Sequence, residues 1–412
     1  MNPDWQQLVK SYVAGHALPR ALYQGDDLYE AEIRAIFLRS WLCVGHQSQV
    51  PQSGDYFLFE MAGESVIVIR AADGGVNALL NVCRHRGSRI CDQPTGHESR
   101  LVCRYHGWTY GLDGSLRAAA HMPPAFDRST LGLRRLHVKV LAGLVFINFA
   151  ADPPPFTEIE ADLAEPLRPY GLEHAKVAQR RNYPLTANWK LAVENYCECY
   201  HCGPAHPEYS VAHSRAIPVE GFAAQLDAVM QRAPEVGLTQ HVVRRSWLDS
   251  GVLGTDRGFD RYPLLRGHLT GSRDGRPVAP LLGSITGFDG ATTDLHLGPT
   301  TFGLAYSDHV VLYRFTPRAP RLTDCEVTWL VNGSAVEGKD YDLATLTWLW
   351  DVTTVADKRI IERNQAGVDS RFYVPGPLSS MEDFTQRFLL WYVAAMRDSA
   401  AVAQTAPRIT QE

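Results

Sequence analysis

Apolar positions set the first divisions along the chain. From about Asp4 to Trp41 they recur at helical spacing, as in LYEAEIRAIFLRSW. From Gly45 to about Phe149 the texture changes to short β-rich runs such as SVIVIR and LVFINF. Gly, Pro and Asp turns separate these runs, which predicts a small all-β unit. The proline-rich ADPPPF (Ala151 to Phe156) is a break and a candidate boundary. Beyond it, helical patterns (NWKLAVENYCECYH, ADKRIIERNQAG, EDFTQRFLLWYVAAM) mix with strands (VVLYRF, CEVTWLV), the texture of an α+β unit. The expected organisation is a helical segment over 1–40 packing on the last unit, an all-β domain over 41–150, a linker over 151–157, and an α+β domain over 158–412. No internal repeat or low-complexity tract interrupts this plan.

Composition narrows the function classes. The chain has 412 residues, 45% hydrophobic and 21% charged, ordinary values for a globular protein with two or three domains. A net charge of −5, without a dense basic stripe, argues against a nucleic-acid partner. The N-terminus is polar throughout and lacks the pattern of a signal peptide. The most apolar stretch, Val138 to Ala151, is shorter than a membrane span and contains Lys139 and Asn148, so it reads as buried strands. A cytoplasmic location is the expectation. In that reducing setting the eight cysteines point to metal ligation or burial before disulfides.

The strongest local signal is CRHRG followed by CRYHGW: Cys83-x-His85, 17 residues, then Cys103-x2-His106. The pairs fall at expected loop tips, where Gly87, Gly107 and Gly111 let the backbone close tightly. A structural zinc site with two Cys and two His groups Cys with Cys and His with His. Here each pair is mixed, which suits a Rieske [2Fe–2S] cluster, where two Cys bind one iron and two His the other.

A second signal lies in NWKLAVENYCECYHCGPAHPEY, Asn188 to Tyr209. His201 and His206 would stand about 140° apart on an unbroken helix. Pro204 is expected to break it and let His206 swing back toward His201. Two His and one carboxylate on one face make a non-haem iron site with open positions. For the carboxylate, WDVTTVADKRIIERNQAG offers Asp351 and Asp357. Asp357 shares an expected helical face with Ile361 and Asn364, which would turn it inward, and Gly367 is a plausible stop for that helix. A buried carboxylate requires a cation. Cys197, Cys199 and Cys202 crowd the same histidine segment. Soft thiolates there suit zinc, but burial as small side chains is the simpler reading. Asn195 and Tyr200 are candidates for lining a pocket or for packing.

Leu80 to Leu112 resembles the Rieske domain of ring-hydroxylating oxygenase alpha subunits. NWK…ENY..E.YH….HP resembles the iron-binding segment of the same family, and GPLSSMEDFTQRFLLWYV looks like its subgroup containing stachydrine demethylase and glycine betaine monooxygenase. The resemblance spans nearly the whole chain. It implies a Rieske domain joined to a helix-grip (START-like) antiparallel-sheet catalytic domain, usually as a homotrimer. It implies a cluster held by Cys83, His85, Cys103 and His106, and a mononuclear Fe(II) held by His201, His206 and Asp357, since the family's Asp lies five residues before a Glu, as Asp357 does before Glu362. Glu198 occupies the place of the acid that bridges electrons between subunits, with Glu194 as a nearby alternative; the family more often has Asp there. O2 is then a co-substrate. The chain has no Gly-x-Gly-x-x-Gly fingerprint, so electrons from NAD(P)H are expected through a separate flavin/iron–sulfur reductase. The subgroup implies oxidative N-demethylation of a betaine-type small molecule; the rivals are hydroxylation or cis-dihydroxylation of an aromatic ring, a Rieske electron carrier, and a zinc-stabilised binding protein.

Overall fold

The structure, a computed structural model, describes residues 5–123, 126–213, 219–249 and 252–405. The outer ends of the expected first and last units, 1–4 and 406–412, lie outside the described residues.

The N-terminal segment is helical only in pieces. Helix α1 (Trp5–Lys10) is separated from α2 (Asp26–Glu32) by an irregular stretch containing Gly15 at φ 80° and Pro19, and α2 runs on into a π-turn, Ile33–Phe37. Proline lacks an amide donor and glycine at positive φ leaves the helical basin, so one continuous helix cannot form.

The all-β unit follows. Its strands are β1 (Leu42–His46), β2 (Asp55–Met61), β3 (Glu64–Arg70), β4 (Val76–Leu80), β5 (Thr95–His97), β6 (Leu101–Val102), β7 (Thr109–Tyr110), β8 (Leu116–Ala118), β9 (His137–Leu141) and β10 (Leu144–Asn148). They form sheets in the orders β1-β10-β9, β4-β3-β2-β5 and β6-β7-β8. The apolar run from Val138 is the β9–β10 hairpin, turned at Ala142-Gly143 with φ of 47° and 76°. Ala62-Gly63 turns β2 into β3 in the same way. Two successive residues at positive φ match the right-handed twist of the flanking strands.

Helix α3 (Thr157–Leu167) leads into β11 (Ala175–Leu185). After α4 (Trp189–Tyr196), α5 (Cys202–Ala205), α6 (Pro207–Ala212) and α7 (Val219–Arg232) come β12 (Val243–Arg245), β13 (Arg257–Pro263), β14 (Ala291–Leu297), β15 (Thr301–Ala305), β16 (His309–Ala319) and β17 (Leu322–Asn332). These strands form one antiparallel sheet in the order β11-β17-β16-β15-β14-β13-β12. The long helix α8 (Leu343–Val368) lies across it, with Trp350, Thr354 and Ile361 facing inward, and α9 (Asp383–Thr405) closes the domain. This is the expected α+β, helix-grip arrangement.

One apolar cluster runs through the N-terminal segment, the all-β sheets and the large sheet. Buried within it, Glu32 of α2 meets Lys190 Nζ of α4 at 2.5 Å and accepts hydrogen bonds from Trp189 Nε1 and Tyr392. The two sheet systems are joined by Arg318 of β16, which donates to the Glu60 carbonyl and carboxylate of β2.

Candidate metal centres

The first centre is built from two matching loops. The Cys83 loop connects β4 to β5 and the Cys103 loop connects β6 to β7. In each, the cysteine carbonyl accepts from the amide of a glycine four residues on, Gly87 or Gly107, and that glycine stands at φ 77° or 72°. Both thiols are buried. His85 and His106 reach across from their separate loops until their Nδ1 atoms are 3.1 Å apart. Trp108 stacks flat on His85 at 4.8 Å, and the Tyr110 hydroxyl lies 3.2 Å from Cys83 Sγ. Slight desolvation, then the neighbouring His85 and Arg86, lower the pKa of His106 and keep its nitrogen available as a donor. Two thiols and two converging Nδ1 atoms fit an iron–sulfur cluster that takes two Cys and two His.

Asn81 fixes the first loop and was not singled out from the sequence. Fully buried, it donates to Ser65 Oγ and the Cys91 carbonyl and accepts from the amides of Ile90 and Cys91. All its hydrogen-bonding capacity goes into closing the loop that carries Cys83 and His85.

The second centre departs in detail from the expected local structure. Helix α4 ends at Tyr196, so Glu198 and His201 do not project from one helix face. Glu198 instead folds back on its own loop: one oxygen accepts from the amides of Tyr200 and His201, and the other lies 2.5 Å from His201 Nδ1. Nor does Pro204 break the chain between the histidines. It sits in the first turn of α5, where a missing N–H costs nothing, and His201 and His206 are the two caps of that single turn. The break comes at His206 itself (φ −148°, ψ 81°), ahead of Pro207 at the start of α6.

The result is the convergence expected of the three residues. His201 Nε2 and His206 Nε2 are 3.1 Å apart, and Asp357 Oδ1 lies 3.3 Å and 3.0 Å from them. Burial opposes protonation of His201, but hydrogen bonds to Asp357 and Glu198 outweigh it and raise its pKa from 6.5 to about 10. Burial also pushes the Asp357 carboxyl up, yet the two imidazoles overcome this and hold it below the ordinary value. The site stabilises positive charge at one point. The Glu198 carboxylate turns the His201 ring so that Nε2 faces that point, as a carboxylate behind a metal-bound histidine does. A hard-to-intermediate cation such as Fe(II) fits the two-His, one-carboxylate set.

The alternatives separate cleanly. Asp351 is engaged elsewhere, by Arg181 at 2.8 Å and the Tyr183 hydroxyl at 2.5 Å. Glu194 accepts from Tyr23 on another side of α4. Asp357 lies in mid-helix on the inner face with Ile361, whereas Asn364 is exposed and Gly367 falls inside α8, which runs to Val368. Asn195 Nδ2 approaches His201 Nε2 at 3.4 Å, while Tyr200 is exposed. None of the eight cysteines is in a disulfide.

The three converging atoms lie in the wall of a cavity of about 580 Å³ between the large sheet and α4–α6, α8 and α9. Tyr196, Phe302, Tyr313 and Phe315 form a contiguous aromatic wall, with Tyr196 stacked on Phe302 at 4.4 Å. Asp294, Asp260 and Arg244 also line it, with Arg244 paired to Asp260. These residues were not assigned from the sequence, although the alternation in VVLYRF (β16) carries two of them on one face.

Residues 172–398 match the catalytic domain of the ring-hydroxylating alpha subunit, and residues 40–139 match the Rieske [2Fe-2S] domain. This chain belongs to the Rieske-type ring-hydroxylating oxygenase alpha subunits. It is 36% identical over 400 residues to the glycine betaine monooxygenase oxygenase subunit of Pseudomonas aeruginosa, covering 94% of this chain and 91% of that one. It is 37% identical over 196 residues to the carnitine monooxygenase oxygenase subunit of Acinetobacter pittii, covering 47% and 53%. Its fold is shared with a quaternary ammonium Rieske monooxygenase solved with L-carnitine, at a TM-score of 0.68 and 24% identity over 95% of this chain and 98% of that one. As a Rieske oxygenase, the protein is an oxidoreductase that uses a [2Fe–2S] cluster, a mononuclear iron and O2, takes a small-molecule substrate and works with a separate reductase. Among the described residues no helix is long and apolar enough to cross a membrane.

Proposed function

We propose that this chain is the terminal oxygenase of a system that N-demethylates a quaternary ammonium, betaine-type substrate in the cytoplasm. The observation that carries the reading is the meeting of His201, His206 and Asp357 beside a cavity walled by aromatic rings. A quaternary ammonium is attracted to such rings by cation–π interaction, which strengthens as water is excluded. The relatives named for glycine betaine and carnitine support the substrate class.

In this reading Cys83, His85, Cys103 and His106 hold the cluster, and His201, His206 and Asp357 hold the iron. Iron bound there supplies O2 activation. The protein's own contributions are orientation and exclusion. Glu198 holds His201 through Nδ1, and its side chain is partly exposed (13%). We assign it as the contact through which electrons cross from a neighbour's Rieske domain, with the chain acting as a homotrimer. The aromatic wall keeps an N-methyl group beside the iron site. Two electrons, two protons and O2 convert that methyl to hydroxymethyl with release of water; the C–N bond then breaks to give formaldehyde, the tertiary amine and a proton.

A single turnover tests this without the native reductase. The chemically reduced protein is exposed to O2 with glycine betaine, stachydrine, carnitine and aromatic acids in turn. Formaldehyde is expected with a betaine and is lost in His201→Ala. A diol or phenol from an aromatic acid would remove the quaternary-amine reading.

A further inference from the structure

From the mononuclear site a file of electron-rich rings leads inward. Tyr209 meets His206 edge-on, with ring centroids 5.4 Å apart, and stacks on His213 at 4.2 Å. Trp350 of α8 touches both Tyr209 and His213, at 5.6 Å each. Tyr306, at the turn between β15 and β16, follows at 6.0 Å from His213. Tyr209, His213 and Trp350 line the cavity. Tyr306 is fully buried beyond them and is stacked on His309 at 4.7 Å. Each step from His206 to Tyr306 is therefore a ring-to-ring contact.

Hydrogen bonds single out Tyr306 among these rings. Its hydroxyl lies 2.6 Å from His213 Nε2, and His213 Nδ1 lies 3.2 Å from the Tyr209 carbonyl. A carbonyl can only accept, so in the neutral ring Nδ1 carries the proton and Nε2 accepts from the Tyr306 O–H. A phenol that loses an electron beside such a base can pass its proton on at the same moment. It then avoids becoming a buried cation, which is costly. Tyr313, on the aromatic wall, directs its hydroxyl to Thr354 Oγ1 and the Trp350 carbonyl, neither of which is a base.

We propose that Tyr306 is a redox-active tyrosine that drains oxidising equivalents from the mononuclear site when O2 is activated with no substrate in the cavity. One electron leaves Tyr306 through His213, Tyr209 and Trp350 and reduces the oxidised iron site. The phenolic O–H bond breaks and its proton forms an N–H bond at His213 Nε2, leaving a neutral phenoxyl radical and an imidazolium. A later electron from the cluster, with return of that proton, restores the phenol. Damage is thereby kept from the rings that shape the chamber. The inference rests on the reading of His201, His206 and Asp357 as iron ligands.

The test uses the full-length protein with cluster and iron loaded. It is chemically reduced, mixed with O2 without substrate, and frozen at intervals for electron paramagnetic resonance. A tyrosyl radical is expected, and its signal narrows when the protein is made with ring-deuterated tyrosine. Tyr306→Phe loses the signal, and peptide mass spectra then show oxidation shifted to Tyr209 and Trp350. His213→Gln, which cannot take the proton, loses the signal too and serves as a second variant. Unchanged iron content and cluster absorbance establish that each variant is folded. Absence of a tyrosyl radical in the iron-loaded parent overturns the proposal, as does a signal that persists in Tyr306→Phe. An equal signal after a chelator has removed the mononuclear iron also overturns it, because the oxidant then arises elsewhere. Iron binding separates the two readings. If His201→Ala still binds the iron stoichiometrically, the metal-site reading fails and this proposal with it; if that iron is lost in His201→Ala and the parent gives no radical, only the role of Tyr306 falls.

Discussion

Glu198 shows how much one side chain does at the second centre. Its carboxylate accepts from two backbone amides and from His201 Nδ1, so it sets the loop and the ring together. Glu198→Gln preserves shape but replaces one acceptor oxygen with a donor that faces backbone N–H groups. Iron content is expected to stay near stoichiometric, while reoxidation of the reduced cluster by O2 and substrate slows by about 10–100-fold, the usual cost of disturbing a metal ligand's outer partner. Rapid-mixing absorbance of the cluster measures this; an unchanged rate would remove Glu198 from the electron path. At this scale the sequence was informative because metal chemistry restricts residue type and spacing. The mixed Cys/His pairs and the His201–His206 spacing were readable without a fold. Asn81 was not, since a buried asparagine that staples a loop has no spacing signature.

Elements were legible in kind and blurred at their ends. The β-rich runs became strands and α8 and α9 formed where helical periodicity is strong. The helical pattern of NWKLAVENYCECYH, however, continues past Tyr196, where the structure stops it because Glu198 offers the following amides a competing acceptor. The break between the histidines was placed two residues early because Pro204 is harmless in a first turn. Lys190 was unreadable for another reason: on α4 it is fully buried, where a lysine is rare, and its ion pair with Glu32, 158 residues away in sequence, together with the rings of Trp189 and Tyr392 makes it tolerable. Lys190→Met is expected to cost about 3–5 kcal/mol, because the Glu32 carboxylate is left buried without its cation. Denaturant unfolding checks this. A loss under 1 kcal/mol would mean that Glu32 finds a new partner or takes up a proton.

Across the whole molecule, stability depends on pH through a buried acid that belongs to neither set of candidate ligands. Asp256 is 1% exposed; burial pushes its carboxyl from 3.8 to about 7, despite a hydrogen bond from the Trp247 amide. Between those values the folded chain holds a proton that the unfolded chain has released. The folded state therefore loses ground as pH rises from about 4 to about 7, and the cost is complete above that range. Asp256→Asn removes the titration. Its stability relative to the parent is expected to grow across that window and then level off, as followed by thermal or urea unfolding at several pH values. A parallel pair of curves would place the Asp256 titration elsewhere. Domain order and the α+β class were visible from texture alone, but the joining of the two units was not: contacts such as Arg318 with Glu60 link positions 258 apart in sequence.

The alternation along β14 bears on how this enzyme can change its diet. Thr292, Asp294 and His296 face the cavity, while Leu295 and Leu297 pack into an apolar core behind the sheet and Thr293 is buried against Tyr170 there. The strand thus separates two kinds of mutational freedom at every second residue. Exchanges at Thr292 and Asp294 reshape the chamber from its own face, whereas His296 also packs on Trp247 and Phe302 and couples chamber to core. A one-residue insertion or deletion would swap the two sets and ruin both. New substrates are therefore reached by replacing side chains on a fixed register, with Thr292 and Asp294 the positions least tied to the packing of the sheet.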